Sequence, residues 1–536
     1  MNITKYVLGL WLALSCSGLV LAYESEPKFA IRAYVVEGNT VLTADEIDSV
    51  LRPFTGEAVD FETIQSAIGA LEAYYDAAGY GAVKALLPEQ DIEDGTVRLR
   101  IVEARVGRIQ VDGNKFFSEA NVRASLPALQ EGERPNMQRI SRQLRVANEN
   151  SAKQTNLVLR RGEQEGEVDA LVRVADENPL RFALTADNTG TPDANGKYTT
   201  GEYRTGLLVQ HSNLFDSDHM LSMQYITSPD HVKQVTIFGL GYRVPLYQSG
   251  NALEFAYGYS NVDSGNLTTA AGNFGISGSG QIFAARFEQY LPPWGELMHK
   301  LAYGFDYRAY TNSVKANDRG GESLVPDSTV HPVSLTYSGN LRLSGQELSF
   351  SLGVAQNIPG GSDGTTEAFN RPGGRQGADA NYRLWRYQLN GTQLLPADWM
   401  LRGVVQGQAT RDALVSGEQF GAGGMDSVPG FYERQVANDY GHRFAAELYT
   451  PDLGNVFDTP EVRARLLVFY AAARLYRNHA LPGEVQQQQI SSYGVGLRAG
   501  YGKRVSLRLD LGIVDQGGGV MEPGSTMLNA SIVGYF

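Results

Sequence analysis

From about Pro179 to Phe536, apolar and polar residues alternate in short runs separated by turn residues, and the chain ends on an aromatic side chain. Successive side chains of an extended strand point to opposite faces, so this period gives each strand one apolar and one polar face. Leu348, Phe350, Leu352 and Val354 alternate with Ser349, Ser351, Gly353 and Ala355. Leu253, Phe255, Tyr257 and Tyr259 do so around Glu254, Ala256 and Gly258, and Val505, Leu507, Leu509, Leu511 and Ile513 around Ser506, Arg508, Asp510 and Gly512. Closing such strands into a cylinder satisfies every backbone group within a bilayer, with the apolar face toward lipid and the polar face toward water. The expectation is a transmembrane β-barrel.

At 536 residues the chain exceeds one ordinary core, and two or three folding units are expected. A helical membrane protein is excluded, because it needs repeated runs of about 20 apolar residues. The one apolar run, Tyr6 to Ala22, follows Lys5 and ends in Val20-Leu21-Ala22, as a secretory signal peptide over residues 1–22 does. The only cysteine, Cys16, lies inside it, so neither disulfides nor a thiolate metal site is expected in the mature chain. With 46 basic and 59 acidic residues the net charge is -13, which disfavours a nucleic-acid partner.

Residues 28–178 read as one unit of about 75 residues written twice, in the order β-α-α-β-β. The first copy opens with Phe29, Ile31, Ala33 and Val35, closed by Gly38-Asn39. Its helix carries Phe61, Ile64, Ile68, Leu71 and Tyr75 at 3,4,3,4 spacing, with Gly79 placed to end it, and strands Ala82–Leu87 and Thr96–Glu103 follow. The second copy runs from Val106–Val111 and Gly113-Asn114, through a helix begun by Asn136 with Ile140 and Leu144, to strands Thr155–Arg161 and Glu167–Ala175.

Leu87-Pro88-Glu89-Gln90, Ile92, Gly95, Val97, Leu99, Ile101 and Glu103 resemble the first periplasmic POTRA module of two-partner secretion transporters. This is the TpsB type, the ShlB/FhaC/HecB-like haemolysin secretion/activation family of the POTRA–barrel superfamily. The stretch from Asn150 through Arg161, Gly162, Gly166 and Val174 to Asn178-Pro179 is similar to the second module, and Asp187-Asn188, Gly190, Gly201 and Arg204 to the first barrel hairpin. The resemblance implies a mainly β fold: a 16-stranded transmembrane β-barrel (179–536) preceded by two α+β POTRA domains (28–104 and 105–178) in the periplasm. It implies an outer-membrane pore of a Gram-negative cell that recognises an unfolded, TpsA-like exoprotein and secretes it, working as a monomer in outer-membrane lipid. The alternative is an assembly factor of the same superfamily that inserts other barrels. Alternation independently gives sixteen segments whose spacers are long and short in turn, with long loops outside and short turns in the periplasm.

The longest exterior connection, 412–440, contains Gly423, Gly424, Met425, Asp426, Ser427, Val428, Pro429, Gly430 and Phe431, and resembles the sixth loop of the superfamily, which folds into the barrel. In the family pattern the residue between that valine and glycine is arginine, reaching an aspartate on the wall. Here those positions are Pro429 and Ala471. Losing both partners is milder than losing one, which would strand a charge. The replacement anchor is sought among Arg443, Glu447, Arg463 and Arg465, which share the lumen phase, with Asp426–Arg465 as one candidate pair. The other reading is that these are ordinary solvated lumen charges.

The POTRA-like sheets offer edges on which an extended chain can pair. By resemblance, cargo is expected along Thr155, Leu157, Leu159, Arg160 and Arg161, against the alternative that the edge pairs with the barrel or a neighbouring module. Only Tyr23–Lys28 separate the expected cleavage point from the first strand. Six residues at about 3.4 Å each cannot thread a barrel roughly 40 Å long, so the plug is expected from 412–440 and the resting conductance is expected to be high. No enzymatic activity, cofactor or metal is expected. Gly360-Gly361-Ser362-Asp363-Gly364 matches a nucleophile string without the strand, sharp turn and helix it needs, and the seven histidines are scattered.

Overall fold

A computed structural model describes residues 28–92, 94–164, 166–193, 196–262, 265–269, 272–276, 279–311, 325–454 and 461–536; the expected signal peptide and Cys16 lie outside them. The chain divides into two compact units, up to Ala104 and from Arg105.

In the first unit Thr96–Glu103 is the central strand, parallel to Ala33–Glu37 and antiparallel to Val83–Leu86. Its alternation buries Val97, Leu99 and Ile101 under helix Phe61–Ala77, whose Ile64, Ile68, Leu71 and Tyr75 fill the same core. Phe61, expected in that stripe, is 49% exposed because it is the first helical residue, beside the Asp60 cap. The opening strand is not one piece. Phe29–Ile31 pairs with Gly56–Val59, a strand between the two helices that the sequence reading lacks.

The second unit opens with a matching sheet: Glu167–Asp176 lies between Arg105–Asp112, parallel, and Lys153–Arg161, antiparallel. The repetition has a physical basis at one turn. Gly38 (φ +83°) and Gly113 (φ +89°) both leave their strand in a conformation disfavoured by other residues, and a Cβ on them would meet the carbonyl oxygens of Ile101 and Val174 at 2.4 and 2.3 Å. The asparagine after each donates to a carbonyl three residues on, Asn39 to Leu42 and Asn114 to Phe117, both at 2.8 Å.

The remainder closes into sixteen antiparallel strands, from Leu180–Asp187 (first) to Thr526–Tyr535 (sixteenth). The eighth is Ser328–Val330 continued by Pro332–Leu343, and it breaks where the proline offers no donor. The count agrees with the sixteen segments that alternation gives. On the thirteenth strand, Val462–Tyr476, Leu466, Val468 and Tyr470 are about half exposed toward lipid while Phe469, Ala471 and Ala473 are buried inward. The first and last strands share five register pairs, the shortest junction between full strands of the barrel. Asn188 prolongs it, its side chain donating to the Leu528 carbonyl (2.7 Å) and accepting from Ala530 N–H (2.8 Å).

The second module is fixed to the barrel by a buried ion pair. Lys153 Nζ lies 2.6 Å from Asp218 Oδ2 in the first periplasmic turn, both side chains almost wholly buried. Asn121 (3.1 Å) and the Tyr247 hydroxyl donate to the same carboxylate. Burial pulls the Lys153 pKa below its ordinary value, and Asp218 opposes that shift.

Candidate functional site

The connection 412–440 leaves the eleventh strand (Met400–Thr410) and returns to the twelfth (Tyr440–Tyr449). Its arms pair as a small hairpin, Phe420–Ala422 with Val436–Asn438. Both roots are pinned by buried carboxylates. Glu418 accepts from Arg308 (2.8 Å), Tyr310 (2.8 Å) and Arg386 (3.1 Å). Asp439 accepts from Arg375 (3.0 Å), Leu414 N–H (2.9 Å) and Asn478 N–H (2.7 Å).

From this root the tip reaches inward-facing residues of the twelfth to sixteenth strands, so the loop lies within the barrel. Val428 and Phe431, fully buried, pack in one cluster with Ala471, Ala473, Leu475, Ile490 and Val514. Pro429 is buried and presents its carbonyl to the Ser492 hydroxyl, and Gly430 N–H donates to Asn529 Oδ1 at 3.1 Å. Gly430 (φ +96°) faces Gly512 across backbone: a Cβ on Gly512 would sit 2.7 Å from Gly430 Cα and N. Gly423 and Gly424, also at positive φ, turn the chain between hairpin and tip. Ala471 therefore belongs to an apolar footing under the tip.

Polar anchoring lies to one side. Asp426 Oδ1 accepts from Arg508 Nη1 at 2.6 Å, and the same guanidinium donates to the Met425 carbonyl. Arg508 Nε and Arg498 Nη1 both hold Asp510 at 2.7 Å. Arg498 lies 4.0 Å from Glu447, which also takes Arg402 (3.1 Å) and the Tyr449 hydroxyl (2.7 Å). Arg443 donates to Gln406 Oε1 (2.7 Å) and to the Asp426 carbonyl. Arg443 and Glu447 thus join the web beneath the tip, whereas Arg465 does not. Its Nη2 donates to both carboxylate oxygens of Asp398, at 2.8 and 2.9 Å, in the turn before the eleventh strand, so the candidate pair Asp426–Arg465 is replaced by Asp426–Arg508. Arg463 is exposed at the start of its strand. Lumen phase is a property of one strand, but the partner across the lumen is set by the barrel's stagger.

At the other end of the unit, Lys153–Arg161 is an edge strand. Thr155 is buried, and its outward N–H (2.7 Å) and C=O (2.9 Å) are both taken by the Asn148 side chain. By alternation the next outward backbone groups belong to Leu157, Leu159 and Arg161. Leu157 and Leu159 side chains are half-buried against the module's core, and Arg160 and Arg161 are exposed. Sequence reasoning missed Asn148, Glu418, Asp439, Arg508 and Gly512; a polar residue in an exterior loop or a glycine in lumen phase carries no distinguishing signal on its own.

Residues 29–104 match the POTRA domain of ShlB type, and residues 166–499, more than half the chain, match the family described as haemolysin secretion/activation protein ShlB/FhaC/HecB. The chain is 22% identical over 495 residues to the heme/hemopexin transporter protein HuxB of Haemophilus influenzae, covering 89% of this chain and 82% of that one. It is 24% identical over 453 residues to the outer membrane transporter CdiB of Dickeya dadantii, covering 80% and 75%. The solved structure of CdiB from Escherichia coli shares the fold, with a TM-score of 0.75 at 18% identity over 98% of this chain and 93% of that one. The chain belongs to the ShlB/FhaC/HecB family of haemolysin secretion/activation proteins, the outer-membrane β-barrel transporters of two-partner secretion.

Proposed function

We propose that this chain is the export pore for one unfolded exoprotein, which it takes up in the periplasm and passes through the barrel lumen to the cell exterior. On this reading residues 1–22 are the signal peptide, 28–104 and 105–178 the two periplasmic POTRA domains, and 179–536 the barrel. The observation that carries the reading is the inward loop: the lumen is occupied by a segment of the chain itself, held at its tip by an apolar footing and by an ion pair in which Asp426 is 70% exposed. A contact of that kind exchanges readily, because exposed pairs are worth little.

Uptake is assigned to the edge Leu157–Arg161, where an extended cargo segment can add a strand and Arg160 and Arg161 attract acidic stretches. Asn148 marks the inner limit of that edge by occupying Thr155. The chain acts as a monomer, without cofactor or catalysis, and export draws on diffusion and on folding of the cargo outside.

A second reading is favoured by the five-pair junction between the first and last strands, a seam through which a barrel-assembly factor could open sideways. Comparing culture medium and outer membrane of cells with and without this chain separates the two. Loss of a single extracellular protein is the outcome for export, and a general loss of outer-membrane barrels is the outcome for assembly.

A further inference from the structure

Beneath the loop tip lies a cavity of about 70 Å³ lined by residues that include Arg402, Asp426, Arg443, Glu447, Arg508 and Ala471. Its charges fall into two classes. Asp510, fully buried and held by Arg498 and Arg508, belongs to the wall. Asp426 belongs to the loop and is 70% exposed. Arg443 makes no ion pair with any described residue; its acceptors are the uncharged Gln406 Oε1 and the Asp426 carbonyl. Four wall arginines, Arg402, Arg443, Arg498 and Arg508, share two wall carboxylates, Glu447 and Asp510, in ion pairs, and the other carboxylates beside them, Asp426 and Glu433, are on the loop, so withdrawal of the loop leaves a surplus of two positive charges among these groups.

We infer that Arg508, with Arg443 beside it, forms a carboxylate-binding site whose Arg508 half the Asp426 side chain fills at rest and that acidic side chains of the translocating polypeptide take over, loosening the loop. The inference rests on the export reading and adds the class of segment that opens the pore. Exchange replaces one carboxylate by another on the same guanidinium, so the ion pair itself adds little to the free-energy difference, and the footing of Val428 and Phe431 sets what remains to hold the tip. A cargo segment confined in the lumen presents its carboxylates at an effective concentration in the millimolar range, enough to compete with a solvated partner. Direction follows from sign: acidic segments displace Asp426, and basic ones are repelled by the uncovered wall.

The test uses the purified full-length chain in detergent micelles carrying Val428→Cys, whose thiol sits in the buried footing and reacts with a hydrophilic maleimide only when the tip leaves. Hexaglutamate at millimolar concentration is expected to raise the labelling rate about fivefold or more, the factor that displacing a contact of about 1 kcal/mol allows, and hexalysine is expected to leave it unchanged. Arg508→Gln in the V428C background should label fast without peptide and ignore hexaglutamate, and Arg508→Lys should restore slow, peptide-sensitive labelling. Heat-modifiable gel mobility reports whether each variant's barrel is folded. Equal rates with hexaglutamate and hexalysine, or no response to either, overturn the inference. That result leaves the export reading standing if the cells still lose one extracellular protein without this chain, whereas failure of the export reading would show in the cells and not in the labelling.

Discussion

The Asp426 carboxylate, carried on the tip of the inward loop, lies 2.6 Å from the Arg508 guanidinium on the fifteenth strand, Val505–Gln516. The acid is on the loop and the cation on the wall, the reverse of the family pattern in which an arginine on the loop reaches an aspartate. Asp426→Asn should leave the barrel intact and weaken tip docking by about 0.2–1 kcal/mol, the range for a solvated pair. Asp426→Arg, which sets two guanidiniums against each other while leaving the Arg508–Asp510 pair in place, should lose more protease protection of the loop than Asp426→Asn.

Ala471→Asp should be far more disruptive than D426N, because it places a carboxylate among Val428, Phe431, Ala473 and Ile490. Desolvating that carboxylate costs free energy that pairing with Arg443, across the cavity both residues line, returns only in part, so the tip is expected to loosen on its footing. Adding Pro429→Arg should recover part of the loss, read by the same loop proteolysis.

Gly512→Ala tests the backbone contact. Its Cβ would lie 2.7 Å from Gly430 Cα and N and from the Pro429 carbonyl, none of which can rotate away. Loop undocking with an unchanged barrel melting temperature is the expected result.

Lys153→Ala strands Asp218 at the junction of module and barrel. Removing one partner of a buried pair typically costs about 3–5 kcal/mol. Hydrogen exchange should rise across Asn121, which donates to that carboxylate, and across Asn213 and the turn to Asp218, where Asn213 Oδ1 accepts from Asn121 and from the Asp218 N–H. Replacing Asp218 by asparagine together with Lys153→Met should recover part of the protection.

The exterior loop after the thirteenth strand carries a pH-sensitive contact. Hydrogen bonds from Arg477, at 2.6 and 2.8 Å, and from Leu481 N–H hold the Glu484 pKa down at about 2. A carboxylate with a depressed folded pKa contributes order that is complete above its unfolded value and lost as pH falls through the folded one. Protection of the Leu481 amide is therefore expected to be full above about pH 5 and to disappear toward pH 2.

The barrel was legible because a period of two is local: each strand announces its own faces, and strand ends follow from turn residues within a few positions. The two modules were legible as a repeat for the same reason. What stayed hidden was non-local. Whether Arg465 or Arg508 meets Asp426 depends on strand tilt and stagger, which no single segment encodes. The strand Gly56–Val59 escaped notice because four residues between helices show too little alternation to read. Asn148 looked like an ordinary helix-terminal polar residue, and only the fold places its amide against Thr155.

Passage of the exoprotein through the lumen is tested most directly by photocrosslinking during export. Gln388 faces the lumen and Leu389, its neighbour on the tenth strand Arg383–Leu394, is 42% exposed on the lipid face. With a photoreactive residue at each position in turn, the account predicts crosslinks to the exoprotein from position 388 and none from 389. Crosslinks confined to the seam between the first and last strands, with position 388 silent, would contradict it.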